Sequence, residues 1–160
     1  MSDQNSVVIE RTVEAPIDLV WQMWTEAEHF SRWYGPMGMT IPVANMDVMV
    51  GGKRHICMEM NMPERQMKMW LVGEYLEITP KTRLVYTEAM SDEAGNVISP
   101  AAMGMPEGTP ESTEVIVELQ DLGSRTNMKM THAGVPADSP GAKGWAMALD
   151  KMAEYLATIL

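Results

Sequence analysis

The sequence has one cysteine, Cys57, one phenylalanine, Phe30, and only 12 Lys and Arg residues against 22 Asp and Glu. A lone cysteine excludes an internal disulfide and fits a reducing compartment. The net charge of −10 opposes nucleic acid and anionic membrane surfaces as partners, since both reward clustered basic residues; ordinary solubility accounts for the acidity. No apolar run approaches the roughly 20 residues of a membrane span. Met1-Ser2-Asp3-Gln4-Asn5 has neither the positive start nor the apolar stretch of a secretion signal, so the expectation is a soluble, cytoplasmic protein. Phosphate-binding and hydrolase motifs are also missing. Gly51-Gly52 is accounted for as a turn, Gly104 and Gly108 are not followed by Lys-Ser or Lys-Thr, and no Gly-x-Ser-x-Gly occurs, so no nucleotide or other cofactor is expected.

What is present describes an ordinary globular chain. At 160 residues with 46% hydrophobic content, a single domain spanning residues 1–160 is expected, large enough for a core. One count stands out: 18 methionines, flexible thioethers in places that branched or aromatic side chains usually fill.

The last stretch, Ser139 to Leu160, reads as one long amphipathic helix. Trp145, Leu149, Met152, Leu156 and Ile159 recur at spacings of three and four, with Lys143, Asp150, Lys151 and Glu154 elsewhere. Ser139 is placed to cap it and Pro140 suits its first position. Some 20 helical residues reach roughly 30 Å, so the helix must lie along something long and apolar.

The rest of the chain supplies that surface. Val7–Glu14 reads as a strand with Val7, Ile9 and Val13 on one face. Pro16 opens a short helix carrying Ile17, Val20, Trp21 and Trp24. Thr25-Glu26-Ala27-Glu28 has the form of a capping box for a second helix that carries Phe30 and Trp33 inward. From Thr40 the period becomes two. Met46, Val48 and Val50 share a face, and Gly51-Gly52 supplies a two-residue hairpin turn into Lys53–Asn61. Gln66–Thr79 switches parity around Gly73, the mark of a bulge or bend. Arg83–Met90, the Val115–Leu119 run and a last strand bearing Met128 and Met130 follow. Turns, not helices, join consecutive strands, so the sheet is antiparallel. Ser99–Ser112 is a Pro- and Gly-bearing loop in which Met103 and Met105 are candidates for a flap over an opening, against a disordered tip as the alternative.

The order strand, two short helices, six strands, long helix predicts an α+β architecture: a curved antiparallel sheet of about seven strands wrapped around the C-terminal helix. Ala15-Pro16 with Val20-Trp21, Trp24-Thr25, Arg32-Trp33, Gly35-Pro36, Gly51-Gly52, Gly73-Glu74-Tyr75-Leu76-Glu77-Ile78, Arg83-Leu84-Val85-Tyr86-Thr87, Gly144-Trp145 and Leu149-Asp150-Lys151-Met152 resembles the homologues of the heat-shock-protein ATPase activator. That family belongs to the START-like, SRPBCC, birch-pollen-allergen-type superfamily. The resemblance implies the helix-grip fold and a hydrophobic cavity between sheet and helix, in which superfamily members carry lipids, sterols or polyketides and a few catalyse cyclisation. It also brings a chaperone or other protein into view as a partner.

Within such a cavity Met58, Met60, Met128 and Met130 alternate with the apolar residues of their strands and face the helix. They form either an adaptable wall for apolar ligands or the packing of an irregular core. Arg54 shares parity with Ile56 and Met58, which turns a guanidinium into the interior and demands a partner there. The commoner alternative leaves it at the strand end reaching solvent. Glu88 shares parity with Leu84 and Tyr86 and is either an inward acid–base group or a rim residue paired with an Arg. His132, on the Met128 face, either caps the cavity with a polar group or lies at the surface. Together with Trp33, Val117, Trp145, Leu149 and Met152, these residues form the expected ligand-binding set for a small apolar or amphipathic molecule. His55 and Cys57 lie two apart on one strand without a second ligand pair, so no metal is expected. The alternatives are a cyclase-type enzyme using Glu88 or His132 for proton transfer, and an interaction module using the acidic surface.

Overall fold

The computed structural model describes residues 6–36, 38–104 and 110–159. Strand β1, Ser6–Val13, leads into helices α1, Ile17–Thr25, and α2, Ala27–Phe30. Strands β2, Thr40–Met46; β3, Lys53–Asn61; β4, Gln66–Thr79; β5, Arg83–Ser91; β6, Ser112–Asp121; and β7, Thr126–Ala133, precede helix α3, Pro140–Ile159. The seven strands form one antiparallel sheet in the order β1-β7-β6-β5-β4-β3-β2. With the C-terminal helix this is the predicted α+β helix-grip architecture.

Register turns the alternation of each strand into rows across the inner face. Ile9 pairs with Met130, Met130 with Val117, Val117 with Leu84 and Leu84 with Ile78. The next row runs Val7, His132, Val115, Tyr86 and Tyr75. Because side chains alternate with period two, each row is continuous on the side that α3 covers. The α3 residues Trp145, Ala148, Leu149, Met152 and Leu156 are buried against it, and Ile159 at the helix end is left exposed. The short helices close one end. Trp24 meets Trp33 edge to face at 4.7 Å between centroids and stacks with Trp145 at 6.1 Å, contacts that add to area burial through the ring quadrupoles.

Several local expectations fail for identifiable reasons. The capping box does not form: Thr25 Oγ1 donates to Trp21 O of its own helix, 2.9 Å, and the residue before α2 is Glu26, which makes no side-chain cap. Ser139 Oγ donates to Pro136 O, 2.6 Å, instead of accepting from a helix amide. Strand β2 stops at Met46 and Val50 is exposed, so Gly51-Gly52 is not a two-residue hairpin. Asp47–Gly52 forms a longer loop in which Gly51 N donates to Tyr75 O and Tyr75 N to Gly52 O, 2.8 and 3.0 Å, tying the loop to β4. The irregularity in β4 lies between Tyr75 and Glu77, just past Gly73. Gly73 itself meets a different demand, since a Cβ there would overlap Thr87 O of β5 and sit 3.4 Å from Arg54 Cγ. Of the two flap candidates, Met105 and the side chain of Met103 lie outside the described residues.

Candidate functional site

The same register brings polar groups to one corner of the inner face. Arg54 pairs with Gly73, Tyr86 with Tyr75, and Glu88 with Thr113. The solvent-reaching alternative for Arg54 is overturned: the residue is 2% exposed, because β4 and β5 close over it where Gly73 leaves room. Its guanidinium carbon lies 3.7 Å from the Tyr86 ring centroid, with Phe30, Tyr75 and Tyr34 at 5.3, 5.7 and 5.8 Å. A desolvated cation over an aromatic face is stabilised by about 2 kcal/mol. Burial works against the charge, but Tyr86, Tyr34, Tyr75 and Glu88 around it outweigh that and raise the guanidinium above its ordinary range. Arg54 Nη1 is 3.5 Å from Glu88 Oε2, and Nε has no hydrogen-bond partner.

Tyr34, which the sequence did not single out, joins the cluster from the end of α2. Its hydroxyl lies 2.8 Å from Glu88 Oε2 and 2.8 Å from the Tyr86 hydroxyl. A carboxylate only accepts, so Tyr34 donates to Glu88 and Tyr86 donates to Tyr34, a directed chain whose links polarise one another. Burial, with Glu88 and Tyr86 nearby, raises the Tyr34 hydroxyl well above the ordinary tyrosine range, and burial raises Tyr86 as well; both stay protonated donors. The one hint in the sequence was the demand itself: two inward charges need donors and acceptors, and Tyr34 stands beside the Gly35-Pro36 bend that can swing it inward.

His132 is also inside, 8% exposed. Trp145 Nε1 donates to its Nδ1 at 2.8 Å, and its Nε2 lies 2.7 Å from Thr113 Oγ1. An indole N–H only donates, so Nδ1 is the acceptor and Nε2 carries the proton. Thr113 passes the chain on to Glu88 O at 3.2 Å. Burial lowers the His132 pKa, in keeping with a neutral ring. With both nitrogens engaged, His132 has no free atom in this geometry for the proton transfer weighed above.

Above this corner opens a cleft of about 200 Å³ between the first turns of α3, the Tyr34–Met39 segment and strands β3 to β5. Its walls are Pro36, Met39, Met58, Met69, Trp145 and Ala148, with Glu88 and the Tyr34 ring at its base. Trp145 and Tyr34 meet edge to face at 5.5 Å and 89°. Lys151 fastens the cleft wall to α3: its Nζ lies 3.0–3.4 Å from the carbonyl oxygens of Tyr34, Gly35, Pro36 and Met39. A second hollow of about 340 Å³ lies between β1 and the later turns of α3.

The predicted lining is thereby divided. Met58, Glu88 and Trp145 border the cleft, whereas Met128, Leu149 and Met152 border the second hollow. Trp33, Ile56, Tyr86, Val117 and Met130 are buried in the core around them. Met60 is half-buried near the end of β3, and Arg54 and His132 support the cleft from behind. On the other side of β3, the His55 ring lies tilted by 40° against Trp70, 4.8 Å between centroids, and burial raises the Cys57 thiol above its ordinary range. Among the described residues no group of three His, Cys, Asp or Glu is placed to hold a metal ion, and no helix is long and apolar enough to cross a membrane.

Comparison with known proteins adds the following. The family described as Activator of Hsp90 ATPase homolog 1-like protein matches residues 14–157. A crystal structure of a protein from Chromobacterium violaceum is similar at a TM-score of 0.75 and 22% identity, over 94% of this chain and 96% of that one. One from Nitrosomonas europaea gives 0.72 and 21%, over 97% and 96%. The AHSA1 protein of Silicibacter pomeroyi gives 0.73 and 15%, over 97% and 99%. At these identities the likeness is one of fold. No curated protein sequence matches the chain.

Proposed function

The chain belongs to the family of Activator of Hsp90 ATPase homolog 1-like proteins, and from that premise we propose that it binds a small apolar or amphipathic molecule in the cleft at the head of α3. The observation that carries this reading is the composition of the cleft: three methionines, Trp145, Ala148 and Pro36 around a single carboxylate. Apolar walls with few, fixed polar groups are what small-molecule sites share, the first supplying affinity at about 25 cal/mol per Å² and the second orientation. Met39, Met58 and Met69 are unbranched and polarizable, so the wall can adapt to several shapes. At about 200 Å³ the space lies below the roughly 300–1,000 Å³ typical of drug-sized ligands, which favours a one- or two-ring body over a sterol or whole lipid. A reducing cytoplasm suits the single thiol of Cys57.

Trp145 lines the cleft and reports on it. Titration with one- and two-ring aromatic compounds is expected to change tryptophan emission saturably, and Met69→Trp or Met58→Trp, which fill the cleft, to abolish the change while the fold survives. Unchanged binding in both folded variants would remove the cleft from consideration. The family description favours a second reading, a chaperone-class protein partner met through the acidic surface. Such binding should weaken steeply with salt, whereas apolar ligand binding should respond weakly.

A further inference from the structure

The base of the cleft says more about the molecule it takes than its apolar walls do. Glu88 lines the cleft with its side chain 10% exposed. Its Oε2 is committed on the protein side, to the Tyr34 hydroxyl at 2.8 Å and to Arg54 Nη1 at 3.5 Å. Among the described residues its Oε1 takes no hydrogen bond. The Tyr86→Tyr34→Glu88 chain fixes which oxygen is spent and which is left over, because Tyr34 has one proton and donates it to Oε2. Oε1 is not among the fully buried atoms left without a partner, so it is the oxygen open to the cleft, where a donor on a ligand can reach it.

The charges at the base narrow the class further. Arg54 and Glu88 together carry no net charge, so the site offers no excess of either sign to a ligand ion. An anion entering the cleft would meet Glu88 first, with Arg54 shielded behind it and not among the cleft walls. A cation would find its carboxylate already paired. What the cleft itself presents without a protein partner is one acceptor, since the unpartnered Arg54 Nε lies behind it and Arg54 is not among its walls. A buried ion pair is also weak evidence for stability, since apolar replacements often do as well or better.

We propose that the cleft selects neutral apolar molecules bearing one hydroxyl or N–H group, which donates to Glu88 Oε1 while the rest of the molecule packs among Met39, Met58, Met69 and Trp145. The Arg54–Tyr86–Tyr34 assembly positions that acceptor and takes no part in contacting the ligand. The inference rests on the cleft being a ligand site and adds the chemistry of the group it recognises.

The test compares three molecules of one shape, naphthalene, 2-naphthol and 2-naphthoate, by calorimetric titration of the unmodified protein near pH 7, where 2-naphthol is neutral. 2-Naphthol is expected to bind about tenfold more tightly than naphthalene, the worth of one hydrogen bond of about 1.4 kcal/mol. It should also bind at least tenfold more tightly than 2-naphthoate. Glu88→Gln is expected to narrow or invert the gap between 2-naphthol and 2-naphthoate, because removing the carboxylate leaves Arg54 as an unpaired cation. Should that variant fail to fold, the ranking on the unmodified protein decides alone. Equal binding of naphthalene and 2-naphthol, or preference for 2-naphthoate, overturns the donor selectivity while leaving the cleft as an apolar site. Failure of all three to bind overturns the ligand site itself and this inference with it.

Discussion

The guanidinium of Arg54 lies 3.7 Å from the centroid of the Tyr86 ring and 3.5 Å, by its Nη1, from Glu88 Oε2. The cation therefore rests on an aromatic face two residues along β5 from its counter-ion. Both partners of the pair come from positions that strand parity turns inward.

Removing one member of this pair should cost far more than removing both. Arg54→Met leaves Glu88 without its counter-ion and is expected to lower unfolding free energy by about 3–5 kcal/mol. Arg54→Met combined with Glu88→Leu should recover much of that loss, because the double variant leaves no unpaired charge. Urea denaturation of the wild type, both single variants and the double variant measures the coupling. Additive losses would show that the pair does not act as a unit.

His132 makes stability depend on pH with a definite sign. Its folded pKa lies below the ordinary histidine value because of burial, and protonation would put a second N–H against Trp145 Nε1. The unfolded chain then binds the proton more readily, so the contribution is fully present above about pH 6.5 and is lost as pH falls toward the folded pKa. His132→Asn, whose Oδ1 can stand where Nδ1 accepts, should show a shallower loss of stability between neutral and mildly acidic pH than the wild type. Carboxylates titrate alike in both proteins, so the difference between the two urea-midpoint profiles isolates His132; parallel profiles would exclude the effect.

Lys151 spends its ammonium group on backbone carbonyls of the segment that walls the cleft, and burial lowers its pKa. Lys151→Met should cost about 1–2 kcal/mol. More tellingly, it should loosen residues 34–39 against α3. Hydrogen exchange at the Met39 amide, which donates to Pro36 O at 3.1 Å, is expected to speed up more than exchange in the β6–β7 ladder. A uniform change across the protein would mean that Lys151 holds no local wall.

Gly73 leaves space that no other residue can leave. A Cβ at this position overlaps the backbone of Thr87 and presses on Arg54, and backbone cannot step aside as a flexible side chain does. Gly73→Ala is expected to destabilise by on the order of 3 kcal/mol. Similar midpoints for wild type and Gly73→Ala in denaturant would show that β4 and β5 can part there without cost.

Much of this molecule was determined by the sequence, because its features have local causes. A strand turns alternate residues to opposite faces whatever surrounds it, so Met128, Met130 and Val117 inward follow from counting; parity put Arg54 and Glu88 on the same side, but only the packing decided that Arg54 stays inside instead of reaching solvent. The spacing of Trp145, Leu149, Met152 and Leu156 likewise determined which side of α3 is buried. Tertiary structure alone decided which of these inward residues meet. Tyr34 reaches Glu88 because Lys151 and the Gly35-Pro36 bend hold its segment against α3, and that proximity joins residues 54 positions apart. The division of the expected interior into a cleft at Trp145 and a hollow at Leu149 depends on how closely a coiled sheet approaches a straight helix along its length, which no period in the sequence encodes. Of the local motifs, the Gly51 turn passed to tertiary control by pairing with Tyr75 of β4, whereas Thr25 and Ser139 took other local partners, Trp21 O and Pro136 O, in place of the caps that their spacing offered.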